Sequence, residues 1–297
     1  MSWKKELFEN LFSENKNKIK KGKEELNKHF PQYLFKYRFN ENHIKALEEN
    51  KLYLSNPLGF NDPYDSSFSI INKIDFVKFW SLLEFGDTEH GLNNFNEGEK
   101  FIDDNLNPDF SKNIAEIFKI TCFSTKVDSL LMWTHYSNEH KGFCIGYDTT
   151  NEIKFNQCLK SNIFPVLYTE NLFDVMKFIQ FDDVDDSEYY RVLLRITKNW
   201  SDIIKYYFED HIHNVLRPYE PCLTKFKDWS YEEEWRFVTN KLEYKKDYME
   251  CIPSNIYLGA RFDGDINDFK RIAKDKNCEL YKMKLHPSKF KLIPEKI

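Results

Sequence analysis

Ile120-Thr121-Cys122-Phe123-Ser124-Thr125, then Ser129 to Tyr136, then Gly142-Phe143-Cys144-Ile145-Gly146-Tyr147-Asp148 read in succession as strand, short helix, strand. The helix has Ser129 or Asp128 as its cap. Upstream, the alternating aromatic run Tyr33-Leu34-Phe35-Lys36-Tyr37-Arg38-Phe39 reads as a strand, residues 41–50 as a short helix and Lys51 to Ser55 as a second strand. Asn56 to Pro63 is a turn-rich loop by its Pro, Gly and Asn content. Downstream, Phe164 to Tyr168, Tyr231 to Thr239, Ile252 to Gly259 and Tyr281 to Leu285 are expected as strands, with the last closing the sheet. Residues 74–118, 170–216 (divided by an acidic turn, Asp182 to Asp186) and 265–276 read as helical. Strands and helices are mixed without a regular βαβ alternation. That pattern predicts an α+β fold with a central mixed or split antiparallel sheet, wrapped by helices from 74–118 and 170–216.

The composition agrees. With 41% hydrophobic and 17% aromatic residues, a chain of 297 residues can bury a sizeable core. Its 27 Phe and 17 Tyr suit strands more than a thin helical bundle. A net charge of -5 argues against a general nucleic-acid coat, although a local basic groove stays open. Residues 1–30, rich in Lys, Glu and Asn, form a predicted N-terminal helical extension, with Trp3, Leu7, Phe8, Leu11 and Phe12 at helical spacing. It is expected to pack on the body or on a partner protein. Residues 31–297 are read as a single α+β domain.

No apolar run approaches the roughly 18 residues that cross a bilayer. Met1-Ser2-Trp3-Lys4-Lys5-Glu6 lacks the apolar core of a signal peptide. The expected location is therefore the cytoplasm, without membrane contact, and the six Cys are expected as reduced thiols. None forms a C-x-x-C pair, so no zinc site is predicted. Cys122 and Cys144 sit in apolar runs and read as core residues. Neither a Rossmann nor a P-loop glycine pattern occurs.

Four segments carry polar groups suited to chemistry. Arg38 follows Tyr37 on an aromatic strand, and a guanidinium there can fork onto a phosphate or carboxylate. Asn61 and Asp62 sit in a loop that either makes Asx-turns or walls a pocket. Ser124 ends one strand, and Trp133 and Tyr136 share a face of the helix that follows. His135 and His140 flank that pair without a partner carboxylate or metal. In Tyr231-Glu232-Glu233-Glu234-Trp235-Arg236-Phe237-Val238, a period of two puts Glu232, Glu234 and Arg236 on one face and the core residues Trp235 and Phe237 on the other. The polar face is either a site or a solvated Glu–Arg surface.

These segments together resemble a bacterial family known as domain of unknown function 2971. The matching words are Phe35-Lys36-Tyr37-Arg38, Phe60-Asn61-Asp62-Pro63-Tyr64-Asp65, Cys122-Phe123-Ser124, Met132-Trp133-Thr134-His135-Tyr136, His140-Lys141-Gly142-Phe143-Cys144, Lys225, Trp229 to Arg236 and Leu258-Gly259-Ala260. The family name states no reaction.

A second resemblance is to the Arg–Ser–Glu class of ADP-ribosyltransferases. Tyr37-Arg38 stands for the aromatic-Arg pair, Phe123-Ser124-Thr125 for the hydroxyl word and Glu232-Glu233-Glu234 for Glu-x-Glu, in the family's order. Lys126 replaces the final Ser of the hydroxyl word, and the stretch from Arg38 to Ser124 has to be an insertion. The resemblance implies NAD as substrate, with no metal, and a macromolecular target, protein or nucleic acid, in a toxin or phage-defence setting. Glu234, Glu232 and Ser124 would be catalytic, with NAD held by Arg38, Tyr37, Trp133, Tyr136 and Asn61. The carboxylate would stabilise the oxocarbenium-like state as nicotinamide leaves. Arg38, Ser124, Glu232 and Glu234 are then expected to line one pocket, walled by Trp133 or Tyr136. The alternative is a non-catalytic nucleotide- or nucleic-acid-binding module. A metal-dependent hydrolase built on Glu232 and Glu234 is weaker, since no Asp/His set completes a ligand shell.

Overall fold

The computed structural model describes residues 3–85, 89–106, 116–177, 216–240 and 244–297. Among the described residues, fourteen strands run in chain order. They are β1 Tyr33–Arg38, β2 Lys51–Tyr53, β3 Phe68–Ser69, β4 Phe118–Ser124, β5 Phe143–Asp148, β6 Ile163–Pro165, β7 Leu167–Thr169, β8 Phe173–Asp174, β9 Thr224–Phe226, β10 Glu234–Asn240, β11 Tyr248–Glu250, β12 Asn255–Leu258, β13 Glu279–Leu285 and β14 Leu292–Lys296. Two compact units divide the chain. One comprises residues 1–24, 57–117 and 169–225, the other 25–56, 118–168 and 226–297.

The second unit holds an eight-stranded sheet in the order β14-β13-β12-β5-β1-β4-β10-β6. It is antiparallel except where β12 runs parallel to β13. The sheet is mixed and open, as an α+β reading requires. The central strands are covered on both faces: Leu34 to Tyr37 of β1 and Phe143 to Tyr147 of β5 are all buried. That double burial explains why the sequence of β5 is a near-continuous apolar run instead of a clean alternation.

Register divides the side chains between two faces. Phe35 pairs with Ser124, Ser124 with Glu234, and Tyr37 with Cys144, so these residues share one face. The helix Leu130–Tyr136 packs Met132 and Trp133 against Phe35, Tyr37, Cys144 and Tyr257 on that side. Ser129 caps this helix, accepting from the Met132 N–H, and the Trp133 indole donates to the Val127 carbonyl at 2.7 Å. Leu34, Lys36 and Arg38 project to the opposite face with Ile145 and Tyr147. There the helix α3, Glu41–Glu48, buries Ala46 and Leu47, and Asn40 caps its start by accepting from the His43 N–H. Gly142 lets the two chain segments meet where β1 ends, since a Cβ there would collide with the Arg38 carbonyl.

Two expectations are corrected. Tyr281 to Leu285 does not close the sheet, because β14 continues it beyond β13. Cys144 is fully buried, whereas Cys122 is only half-buried.

The first unit holds α1, Trp3–Leu11, with Leu7, Phe8 and Leu11 buried. It also holds the parallel pair β3–β8 and the helices Lys73–Phe85, Glu89–Asn93 and Phe95–Phe101. Of the helical reading of 170–216, residues 178–215 lie outside the described residues, and the described start is corrected: Phe173–Asp174 is a strand, followed by a 3-10 turn at Val175–Lys177. Among the described residues, no helix is long and apolar enough to cross a membrane.

Candidate functional site

The acidic word folds differently from its sequence pattern. Lys227–Glu232 is a short 3-10 helix, and Glu233 adopts a left-handed conformation at φ 43°. The strand therefore begins at Glu234. Glu233 is held there by its own side chain, which accepts from the Thr125 hydroxyl at 2.9 Å and pairs with the Lys126 ammonium at 2.7 Å. Glu234 and Arg236 share a face as period two requires, but that face is buried. Arg236 is 0% exposed, and its Nε and Nη2 each donate to Glu234 at 2.9 Å. A carboxylate forked onto a guanidinium in this way has one lone pair on each oxygen engaged.

Glu232, 2% exposed, accepts the Tyr136 hydroxyl at 2.6 Å. Ser124 donates to the Glu232 carbonyl at 2.6 Å and accepts from the Lys126 N–H. Tyr37 donates to the Lys126 carbonyl at 2.7 Å and meets the Trp133 ring edge-on. Six of the expected site residues, Tyr37, Ser124, Trp133, Tyr136, Glu232 and Glu234, thus gather on one side of the sheet; Tyr136 is half-buried and the others are buried, and the Glu234 carboxylate is bonded to Arg236. Trp235 and Phe237 are buried on the other side, as expected.

Arg38 does not join them. It lies an odd number of residues beyond Phe35, the partner of Ser124, so it leaves the sheet on the far face. The expected convergence of Arg38, Ser124 and Glu234 on one pocket is corrected on that ground. Asn61 lies exposed in the other unit, where the neighbouring Asp62 makes the Asx-turn expected of such loops, accepting from the Tyr64 N–H. In that same unit Asp65 and Lys225, from two separate words of the resemblance, form a buried pair at 3.4 Å.

The far face carries a different site. A pocket of about 650 Å³ is lined by Lys36, Arg38, Ile145 and Tyr147 from the sheet, by α3 from Asn42 to Leu47, and by Glu49 to Tyr53 and Ser55. Its lining holds four cations, Lys36, Arg38, Lys45 and Lys51, against the single acid Glu49. Glu49 is paired with Lys51 at 2.8 Å. Lys36 is 6% exposed and donates to the Thr121 hydroxyl at 2.5 Å and the Cys122 carbonyl at 2.8 Å. Arg38 is half-buried, with Nη1 donating to the Tyr37 carbonyl at 3.2 Å. Among the described residues, neither cation has a carboxylate within ion-pair distance.

The electrostatics follow. Burial holds the Lys36 pKa well below the usual lysine range, and the Arg38 charge lowers it further. Burial also lowers Arg38. His43 is brought down to about 4, by burial first and then by Arg38 and Lys36. It is therefore neutral near pH 7. The Phe39 N–H lies 3.5 Å from its Nδ1, at the edge of hydrogen-bond range. The site reads as a positive potential beside a neutral ring.

Sequence reasoning found Arg38 but missed its companions. Lys36 was available from the same period-two argument, two residues before Arg38 on one strand. His43 and Tyr147 carry no local signal, because only the pairing of β1 with β5 and the packing of α3 bring them together. Among the described residues, no group of three or more His, Cys, Asp or Glu side chains is arranged to hold a metal ion.

Residues 132–237 match the family model described as a protein of unknown function, DUF2971. That segment contains the Met132 to Tyr136, His140 to Cys144, Lys225 and Trp229 to Arg236 words, so the resemblance to that family is borne out there. No curated protein and no solved structure matches the chain.

Proposed function

For a chain carrying a DUF2971 segment, whose name prescribes no reaction, we propose a binding function. The protein binds a phosphorylated ligand, a nucleotide or a nucleic-acid end, in the pocket lined by Lys36, Arg38 and Tyr147. One observation carries the reading. Lys36 and Arg38 point into a concave site, one buried and one half-buried, with no carboxylate to balance them among the described residues. Holding a cation away from water costs several kcal/mol unless an opposite charge compensates it. An anionic ligand supplies that charge. The volume also suits a small molecule, for which pockets of about 300–1,000 Å³ are usual.

NAD belongs to the same ligand class through its pyrophosphate. The transferase chemistry has less support, because Glu234 is forked onto Arg236 on the face opposite to Arg38. The test is equilibrium titration of the protein with ATP, NAD and a 5′-phosphorylated oligonucleotide, for wild type and Arg38→Met. Saturable binding that Arg38→Met weakens at least tenfold supports the reading. Binding by none of the three, or binding indifferent to Arg38, rejects it.

A further inference from the structure

We infer that the floor of this pocket is a cradle for a terminal phosphate, so that the site selects phosphomonoesters over diesters. The inference rests on the pocket being an anion site and adds which anion it takes. Three side chains carry it. In the register of β1 with β5, Leu34 faces Tyr147, Lys36 faces Ile145 and Arg38 faces Phe143. Tyr147 is therefore the diagonal neighbour of Lys36 on the pocket face, with Arg38 one step further along the strand.

Tyr147 is 3% exposed and lines the pocket; its hydroxyl is not sealed off, since among the described residues the fully buried side-chain atom without a partner is His140 Nδ1. Burial keeps this phenol protonated far above neutral pH, so it offers a donor. An ammonium with one donor left beyond those given to Thr121 and Cys122, a guanidinium and a phenol thus line one pocket, and neither Lys36 nor Arg38 has an anionic partner among the described residues. A phosphoryl group with three non-bridging oxygens fits such a set.

Charge decides between ester types. Arg38 supplies one positive charge, and a dianionic phosphate beside Lys36 favours its protonated form, so that the pair together supplies two. A phosphomonoester carries about -1.5 to -2 at pH 7 and balances them. A diester carries one negative charge and leaves one cation uncompensated.

The experiment is calorimetric titration with inorganic phosphate, AMP, 3′,5′-cyclic AMP, NAD and adenosine, on wild type and on Tyr147→Phe. The phenylalanine keeps the ring packing, and matching circular dichroism verifies the fold. AMP is expected to bind at least tenfold more tightly than cyclic AMP. Tyr147→Phe is expected to weaken AMP and phosphate about tenfold, the loss of one hydrogen bond to a charged group. Equal affinity for AMP and cyclic AMP, or an AMP affinity indifferent to Tyr147→Phe, overturns the terminal-phosphate cradle while the anion site stands. Failure of all five ligands to bind overturns both.

Discussion

Arg38 and Glu234 leave opposite faces of the same sheet. The register runs from Phe35 to Ser124 and from Ser124 to Glu234, and Arg38 lies three residues past Phe35. Strand parity alone separates the two side chains, so no rotamer change brings them into one cleft. The acid face and the basic face are therefore separate structures with separate roles: a bonded polar cluster on one side, and a cationic pocket on the other.

The first prediction follows from the uncompensated cation. Arg38→Met keeps the aliphatic length and removes the charge. Phosphorylated ligands are expected to bind at least tenfold more weakly, a loss of about 1.5–3 kcal/mol for hydrogen bonds to a charged group. Stability in the absence of ligand is expected to hold or rise, since a partly desolvated charge is gone. Urea unfolding beside ligand titration checks both. A large loss of unliganded stability would show Arg38 to be a structural strut.

Glu234 is expected to behave in the opposite way. Glu234→Ala removes the carboxylate that engages Nε and Nη2 of a fully buried guanidinium. Breaking such a buried pair costs on the order of 3–5 kcal/mol. Glu234→Leu combined with Arg236→Met is expected to recover part of that loss. An unchanged unfolding midpoint in Glu234→Ala contradicts the assignment.

Glu232 separates the sequence reading from the structure. As a solvated acid on an open strand face, it would be replaceable at little cost. Buried and bonded to Tyr136, it is expected to cost about 1–3 kcal/mol on change to alanine, because the Tyr136 hydroxyl loses its acceptor. Trp235→Ala is expected to cost about 3–5 kcal/mol as a large-to-small core change. Both are read from unfolding curves, and a neutral Glu232→Ala would restore the solvated reading.

Much of the sheet was legible in the sequence because its strands announce themselves by alternation and aromatic content, as in Tyr33 to Arg38 and Gly142 to Asp148. The start of β10 was not. Glu232 and Glu233 continue the alternating pattern of Glu234 to Val238, yet a 3-10 turn and the left-handed Glu233 interrupt it, stabilised by Thr125 and Lys126 from a distant segment. The site was legible only as types of residue. Arg38 stood out as an arginine on an aromatic strand. Which face it takes relative to Ser124 depends on how β1 pairs with β4, a register that no local pattern encodes. Tyr147 and His43 reach the pocket only through tertiary packing.

His43 offers a pH readout. Its pKa of about 4 lies below the ordinary 6.5, so between those values the unfolded chain binds a proton that the folded chain does not. Stability contributed by this group is therefore fully present above 6.5, falls as pH drops toward 4, and changes no further below that. A bound phosphate is expected to offset the fields of Arg38 and Lys36 and raise the His43 pKa by about one unit or more. Titration of the ring carbon resonances, with and without inorganic phosphate, measures it. An unchanged or lower value in saturating phosphate contradicts a phosphate seated beside this ring.

The most direct measurement is a map of amide shift changes on titrating the isotopically labelled protein with AMP. The account predicts saturable changes at Lys36, Arg38, His43, Ile145 and Tyr147, which line the cationic pocket. Saturable changes centred on Ser124, Tyr136 and Glu232 to Trp235 instead, with the β1–β5 face silent, would contradict it and return the acid cluster to the role of binding site.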